Sequence, residues 1–327
     1  MKGIIFVLFA LLLFSCTAEL PTSIGKSRQI IVLCNHLDIV KKILSYTLER
    51  PIYTVQPEPE FTVQYHPLAL IDKYFRYHTL FIIGLIDEEP ISSILARYRE
   101  KIMSDTFGLF AFSNLWARGQ NIYIFAARDL KYLSRGLTKY ESRILKTFQK
   151  RSLEYMSKLT YARGYNRNLE KTLSQKYKFS LKLPFSFKLN SKYQNKNFLY
   201  FVAHNPERSI FVHFSNLKIP LEPENLINIR DSLTNLFYEG DYVYQQFTYA
   251  ETVDFNNNMA LKLIGVWQNN KYLAGGPFLS YAFYVDTILY IIDGMVFNPG
   301  QKKLDYLLQI DAILHTFRPF PEKSTNY

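Results

Sequence analysis

The stretch that decides the fold is residues 130–150, which read LKYLSRGLTKYESRILKTFQK. Its apolar residues recur at spacings of three and four, the pattern of one buried helix face. They are Leu130, Leu133, Leu137, Tyr140, Ile144 and Phe148. Six basic residues recur at the same spacings, within an arc of roughly 120° that points away from the apolar residues. They are Lys131, Arg135, Lys139, Arg143, Lys146 and Lys150. The pattern predicts a helix over residues 128–162, about 50 Å long.

The positive charge of the chain is concentrated around this helix. The formal net charge is +11, and residues 128–182 hold fifteen Lys or Arg and four Asp or Glu, which leaves 24 basic and 24 acidic residues elsewhere. One interpretation is a contact surface for anionic lipid headgroups or for an acidic envelope protein. The other is an ordinary solvated face.

The first residues indicate export. Lys2 precedes an apolar run over residues 4–14, and a helix of that length covers about 16 Å, half of the ~30 Å hydrocarbon core. The following Leu13-Phe14-Ser15-Cys16 resembles the lipobox of bacterial lipoproteins. We therefore expect a signal peptide over residues 1–15, lipidation at Cys16 and a tether over residues 16–27. An ordinary secretory signal is the alternative.

The rest of the sequence predicts an α+β protein. Strands and helices mix without regular βα alternation, which favours two mostly antiparallel sheet-and-helix lobes joined by a long basic amphipathic helix. The expected division is residues 28–127 for the N-terminal lobe, 128–163 for the connecting helix and 164–327 for the C-terminal lobe. A single continuous sheet is the alternative.

Hydrophobic patterns place the individual elements. In the first lobe we predict strands over residues 29–34, 62–65, 79–86, 107–113 and 122–127, and helices over 36–50 and 91–102. In the second we predict strands over residues 198–203, 209–214, 248–254, 259–268, 278–286 and 288–297, and helices over 222–238 and 301–317. Alternation over residues 179–189 predicts one long half-buried strand with an edge, a bulge or a break at Pro184.

The sequence contains little that points to catalysis. The sequence has no Walker loop, Gly-x-Ser-x-Gly, His-Glu-x-x-His or Cys-x-x-Cys motif. Among the six histidines only His204 and His213 are placed to converge, so we expect no metal site, no cofactor and no catalytic residues. Cys34 closes an apolar run, and we expect it to be buried. An enzyme of unrecognised type stays open, and it requires titratable groups that converge in a cleft.

A second candidate site is a groove that binds a ligand or a partner near an aromatic strand. Its residues are Trp267, Gly275, Gly276, Pro277, Phe278 and Tyr281. The simpler interpretation of the two glycines is a tight turn that needs positive φ. Arg230 and Asp231 lie on a predicted helix, where we expect a surface or interdomain ion pair.

A set of motifs carries a resemblance to a known family. The motifs are the lipobox, residues 21–25 (PTSIG), residues 56–61 (QPEPEF), Arg230-Asp231, Trp267, residues 275–278 (GGPF), residues 293–299 and Lys302-Lys303. With them the mature chain resembles the Gram-negative lipoprotein family catalogued as domain of unknown function 4837. That resemblance implies export, lipidation and a two-part α+β body, without an activity or cofactor. The strand and helix order at the end of the chain also resembles small lipoproteins of the photosystem-extrinsic type.

These observations predict a lipid-anchored cell-envelope protein with a non-enzymatic binding or scaffolding role. We expect a membrane contact through the N-terminal lipid and no nucleic-acid partner. The acidic run that directs surface display in related lipoproteins is missing after Cys16, which favours a position facing the periplasm, and we expect the outer membrane as the anchoring membrane. Binding of a small molecule or lipid in an aromatic pocket is the alternative, and an unrecognised envelope enzyme is another.

Overall fold

The computed structural model describes residues 19–191 and 197–320. The described chain combines helices with several sheets and is α+β, as the sequence predicts. The elements of the first half, in chain order, are β1 (Gln29–Cys34), α1 (Leu37–Leu48), β2 (Pro51–Thr54), β3 (Gln56–Pro59), β4 (Thr62–His66), α2 (Ile71–Tyr74), β5 (Thr79–Leu85), α3 (Ile91–Ile94), α4 (Arg99–Asp105), β6 (Phe107–Ser113), β7 (Asn121–Ala127) and α5 (Leu130–Thr160). The helix expected over residues 91–102 is therefore divided into two short ones.

The first sheet has five strands in the order β4-β1-β5-β7-β6. Three of its four interfaces are parallel, and only β6 and β7 run antiparallel. The prediction of a mostly antiparallel first sheet was wrong. Parallel neighbours need long crossovers, and helices in these crossovers cover both faces of the sheet. Strands β1, β5 and β7 are consequently buried almost throughout.

Helix α5 packs its apolar stripe on this sheet. Asp129 is its N-cap, and the carboxylate accepts a hydrogen bond from the Tyr132 amide. Of the stripe residues, Leu137 and Phe148 are among those buried against α1 and the strands. Gly136 allows the helix to approach the sheet closely, because a Cβ there would lie 2.7 Å from the ring atoms of both Phe107 and Phe125. The helix thus forms one layer of the first half, and its later turns contact the second half.

The second half contains three further helices and nine strands among its described residues. In chain order they are α6 (Arg167–Tyr177), β8 (Phe179–Ser180), β9 (Lys188–Leu189), β10 (Phe198–Ala203), β11 (Glu207–Ser215), α7 (Pro223–Phe237), β12 (Asp241–Phe255), β13 (Asn258–Asn269), β14 (Gly275–Val285), β15 (Ile288–Phe297), α8 (Leu304–Leu314) and β16 (Arg318–Pro319).

Seven of these strands form an antiparallel sheet in the order β12-β13-β14-β15-β11-β10-β9. Helix α8 covers one face and α7 covers the other. The predicted antiparallel sheet covered by helices is confirmed for this half. The two main sheets are separate, so the single continuous sheet does not form.

The long strand predicted over residues 179–189 was wrong. Only its ends form strands, and the middle turns at Pro184, whose carbonyl accepts a hydrogen bond from the Phe187 amide. The break agrees with the expectation for Pro184. Four alternating apolar side chains of this stretch are still fully buried, whereas Phe185 is 59% exposed. The period-two pattern therefore predicted these four buried side chains, but not the exposure of Phe185 or the backbone that buries the others.

The β2–β3 hairpin reaches across to the second half. Glu58 on β3 accepts hydrogen bonds from the backbone amides of Lys303 (2.7 Å) and Leu304 (3.3 Å), at the N-terminus of α8. A carboxylate is favourable there because it satisfies free amides and the helix dipole. Arg28 adds an ion pair to Asp305 at 2.6 Å. These contacts and the packing of α5 on α8 join the two halves.

Candidate functional site

The six basic side chains of α5 form one exposed surface, which we call the basic face: Lys131, Arg135, Lys139, Arg143, Lys146 and Lys150. It is about 28 Å long at 1.5 Å per residue. Within the described ranges, no carboxylate lies within 4.0 Å of any of these six groups. Four of the six line one shallow depression on the helix. The helix thus presents unneutralised cations to solvent.

Aromatic rings at the base of the basic face support two of its cations. Lys139 Nζ lies 5.9 Å from the centre of the Phe107 ring, and the Arg143 guanidinium lies 5.3 Å from that of Tyr140. These distances are within the range of cation–π attraction. Phe107 lies on β6 and Tyr140 on α5 itself, and both side chains are partly buried.

A cleft of about 860 Å³ opens beside the basic face. One wall is α5, the second is β12 with β13, and the floor is α8. Lys146 and Lys150 line both the cleft and the basic face. The volume falls within the range of small-molecule sites. Residues of both halves line it, so the cleft exists only because the two halves pack together.

Four side chains form a polar network in this cleft: Lys262, Tyr281, Asp311 and His315. Tyr281 donates a hydrogen bond of 2.7 Å to Asp311 Oδ1, and His315 Nδ1 lies 3.1 Å from the same oxygen. The imidazole also hydrogen bonds to the Asp311 carbonyl at 2.9 Å. Asp311 and His315 are four residues apart on the last turns of α8, so helix geometry brings them together.

The network shifts the pKa values of its members. Burial opposes ionisation of Asp311, but the Lys262 and His315 charges, with hydrogen bonds from His315 and Tyr281, hold its pKa below the usual range. Burial disfavours the imidazolium of His315, yet the Asp311 carboxylate raises its pKa. Burial places the pKa of Tyr281 well above its usual value. Asp311 is thus a permanent anion at neutral pH.

Lys262 is the least satisfied member of the network. Its side chain is 16% exposed, and its nearest carboxylate oxygen, on Glu251, is 3.7 Å from Nζ. Its ammonium has no hydrogen bond to any residue that the structure describes. The ammonium also lies 5.5 Å from the centre of the Tyr281 ring. Its three N–H donors therefore lack a hydrogen-bonded acceptor among the described residues, although Glu251 partly balances the charge.

Two other charged residues that line the cleft, Arg50 and Glu60, neutralise each other. Arg50 is ion paired with Glu60, and Gln149 on α5 donates a hydrogen bond of 2.7 Å to the other Glu60 oxygen. Burial raises the pKa of the neighbouring Tyr249 to about 12, so its phenol stays protonated. The cations without a hydrogen-bonded carboxylate in the cleft are consequently Lys146, Lys150 and Lys262.

The structure separates most residues of the predicted aromatic groove. Trp267 and Phe278 are buried beneath α7, whereas Tyr281 lies on the other face of the sheet and alone of the six lines the large cleft. Gly275 and Gly276 begin β14 and do not form the expected turn. Glycine is needed at 276 because a Cβ there would lie 1.9 Å from the Val296 carbonyl oxygen.

The prediction of a surface or interdomain ion pair at Arg230 and Asp231 was also wrong. Arg230 is fully buried and pairs with Asp293, at 2.7 Å, instead of with a surface carboxylate. Asp231 accepts a hydrogen bond from the Val243 amide at 2.7 Å. Local sequence patterns could not predict this ion pair, because Arg230 and Asp293 are 63 residues apart.

Cys34 is fully buried, as predicted, and burial raises the pKa of its thiol to about 12. His36 contacts Cys34 only through its backbone amide, and its imidazole instead lies 3.0 Å from Glu88.

The described residues include no group of three or more His, Cys, Asp or Glu side chains arranged to hold a metal ion. Between residues 19 and 320, leaving out 192–196, no helix is both long and apolar enough to span a bilayer. The predicted signal peptide and Cys16 lie outside the described residues.

The cleft residues Lys262, Asp311 and His315 were missed at the sequence level. One usable signal existed, because a carboxylate and an imidazole at i and i+4 on a predicted helix can interact. The geometry now meets the requirement that titratable groups converge in a cleft. In the described part of the chain, no serine, threonine or cysteine side chain is hydrogen bonded to the His315 imidazole. Lys262, Asp311 and His315 supply charged and hydrogen-bonding groups with which polar ligands can interact.

Two family models match the sequence. Residues 166–316 match "Domain of unknown function (DUF4837)", and residues 23–161 match "Domain of unknown function (DUF8532)". The expected resemblance to the first family is confirmed, but over the second half rather than over the whole mature chain. The motifs at residues 21–25 and 56–61 fall within or beside the second family's match. No curated protein matches the sequence.

Solved structures give distant likenesses. A Bacteroides thetaiotaomicron protein is 9% identical with a TM-score of 0.30, and the match covers 46% of this chain and 47% of that one, less than half its length. Cyanobacterial PsbP from Synechocystis is 9% identical with a TM-score of 0.32 and coverage of 44% and 87%. LpqN, involved in cell envelope biogenesis of Mycobacterium tuberculosis, is 14% identical with a TM-score of 0.28 and coverage of 44% and 83%. These scores are too low to support an inference.

Proposed function

We propose, for a chain whose two halves match two domain families of unknown function, that this protein is a lipid-anchored, non-enzymatic binding protein of the cell envelope. In this proposal Cys16 carries the lipid at the outer membrane, the body faces the periplasm, and the basic face docks on anionic lipid headgroups. The observation that carries the proposal is the row of six exposed cations without a carboxylate within 4.0 Å among the described residues.

The electrostatics of a bilayer suit this surface. A Lys or Arg near an anionic leaflet contributes about 1 kcal/mol, and the effect decays over a Debye length of about 8 Å at physiological salt. The basic face lies along one helix and is about 28 Å long, so all six cations can approach a flat surface together. Internal ion pairs do not compete with headgroups for these charges.

The predicted anchor favours lipid over an acidic protein as the partner. The first backbone hydrogen bond between this segment and the body is at Pro21, whose carbonyl accepts from the Arg118 amide at 2.7 Å, beside the bridge from Thr22 to Arg118. A lipidated Cys16 is five residues from Pro21, so the free chain can span at most about 18 Å. The body would stay close to the headgroups, which raises the effective concentration of the basic face at the bilayer.

The test separates docking from anchoring. The lipidated full chain is reconstituted in vesicles of phosphatidylglycerol with phosphatidylcholine, or of phosphatidylcholine alone. A fluorophore on Ser142→Cys, an exposed position among the cations, reports its proximity to a headgroup-linked quencher. Cys34 is buried and does not compete for the label. We expect stronger quenching on the anionic vesicles, with loss of the difference at high salt.

Charge reversal provides the comparison. The variant Lys139→Glu, Arg143→Glu, Lys146→Glu should abolish the extra quenching. The control reverses three exposed cations elsewhere, Lys171, Lys176 and Lys178, for the same change in net charge, and should keep it. Equal quenching of the parent and the basic-face variant in low salt would remove α5 from the proposal.

A further inference from the structure

We propose that the cleft between α5, β12–β13 and α8 binds a small amphipathic molecule that carries one oxyanion, a phosphate or a carboxylate, and that Lys262 binds the oxyanion. This inference is independent of membrane docking by the basic face, since Lys262 is on β13 and not on α5. The cleft itself, at about 860 Å³, has room for a small molecule.

Lys262 has the free hydrogen-bond donors that an oxyanion would need. Its side chain is largely buried, its nearest carboxylate oxygen is 3.7 Å away on Glu251, and its ammonium forms no hydrogen bond with the described residues. The charge-assisted hydrogen bonds of an ammonium to an oxyanion are stronger than those that it forms with neutral acceptors. A ligand oxyanion at Nζ would supply them.

The charges around Lys262 leave room for an added anion. The Asp311 carboxylate is already occupied by Tyr281 and His315, and Glu60 is occupied by Arg50 and Gln149. Asp254 accepts a hydrogen bond from the Asn257 amide. Glu251 is the remaining carboxylate of the lining, and its oxygen lies 3.7 Å from Lys262 Nζ, beyond hydrogen-bonding distance. Lys146, Lys150 and Lys262 therefore lack a hydrogen-bonded carboxylate, and a ligand oxyanion can bond to them without displacing a hydrogen bond of the protein.

The apolar residues that line the cleft indicate that the rest of the ligand is apolar. Apolar side chains of α8, β13 and β14 lie beside the polar groups, and Leu307, Ile264 and Leu279 are examples. Burying apolar surface of a ligand on these residues contributes roughly 25 cal/mol per Å². A free inorganic anion cannot use that contribution, whereas a phosphate or carboxylate with a short hydrocarbon part can.

The experiment is isothermal titration calorimetry on the full chain with hexyl phosphate. Hexanoate tests the other oxyanion, inorganic phosphate tests the oxyanion without the apolar part, and hexanol tests the apolar part alone. We expect at least one of hexyl phosphate and hexanoate to bind about tenfold tighter than both inorganic phosphate and hexanol. Hexanol binding as tightly as the charged ligands would overturn the inference, and so would the absence of binding by both charged ligands.

Variants locate the site. Lys262→Met should weaken binding by about tenfold or more, the loss expected for a charge-assisted hydrogen bond. The matched control is Lys271→Met, at an exposed lysine outside the cleft, which should leave binding unchanged. If Lys262→Met does not fold, Ser142→Trp provides the test. Its indole would occupy part of the cleft from an exposed position on α5 and should weaken ligand binding. Parent-like binding in a folded Lys262→Met, or in Ser142→Trp, contradicts the proposed location, as does an equal loss in Lys271→Met.

Discussion

Replacing Arg230 with methionine should destabilise the protein strongly, because it removes one member of a fully buried ion pair. Arg230 Nε lies 2.7 Å from Asp293 Oδ2, and neither side chain has measurable exposure. The guanidinium also lies 3.8 Å from the centre of the Phe278 ring, and Ser280 donates to the Asp293 carboxylate. Methionine fills much of the volume of the arginine stem but leaves the carboxylate without its counter-charge.

The magnitude follows from the burial of both charges. Removing one partner of a buried ion pair costs about 3–5 kcal/mol, a large share of the roughly 5–15 kcal/mol by which a domain is stable. Removing both charges is far less costly, since no unpaired ion remains. The double variant Arg230→Met, Asp293→Asn should recover most of the loss, because Asn keeps an acceptor for Ser280. Urea unfolding followed by circular dichroism gives both free energies.

The pH dependence offers a second measurement on the same variant. Burial raises the pKa of Asp293, and Arg230 opposes that rise. Without Arg230 the folded state favours the protonated carboxyl more strongly, so the penalty should grow as pH rises above 3.8, the ordinary value for Asp. A loss below about 1 kcal/mol in Arg230→Met, or a double variant as unstable as the single one, would refute the electrostatic reasoning.

Three further predictions concern other parts of the fold. The pKa of His315 is raised above its ordinary value of 6.5 by Asp311, so the stability that it contributes is present below pH 6.5 and is lost as pH rises through the folded value. His315→Gln should therefore lower the free energy of unfolding more at pH 5.5 than at pH 8.5, and an equal penalty would contradict this. Gly136→Ala should lower the free energy of unfolding in urea, because the alanine Cβ would lie 2.7 Å from two phenylalanine rings. This clash should outweigh the gain of about 1 kcal/mol in helix propensity. A variant more stable than the parent would refute the close packing. Cys34 should react with a thiol reagent only as fast as the protein opens, because it is buried and its thiol pKa is about 12, and rapid labelling under native conditions would show otherwise.

The basic face could be predicted from the sequence, whereas the cleft could not. Spacings of three and four placed six basic residues on one side of α5, and all six are exposed in the structure. The same spacing on the other side identified Leu133, Ile144 and Phe148 as core. The cleft needs α5, β13 and α8 side by side, and local periodicity contains no information about that arrangement.

The sequence by itself determined the elements whose patterns are local. Strands such as β1, β10 and β15 begin and end where their apolar runs do. Only the tertiary structure decided the parallel pairing of the first sheet, the break at Pro184 and the burial of Arg230 beside Asp293. The physical reason is range: helix and strand patterns reflect neighbours a few residues apart, whereas pairing, clefts and buried charges depend on segments that meet only when the whole chain has packed.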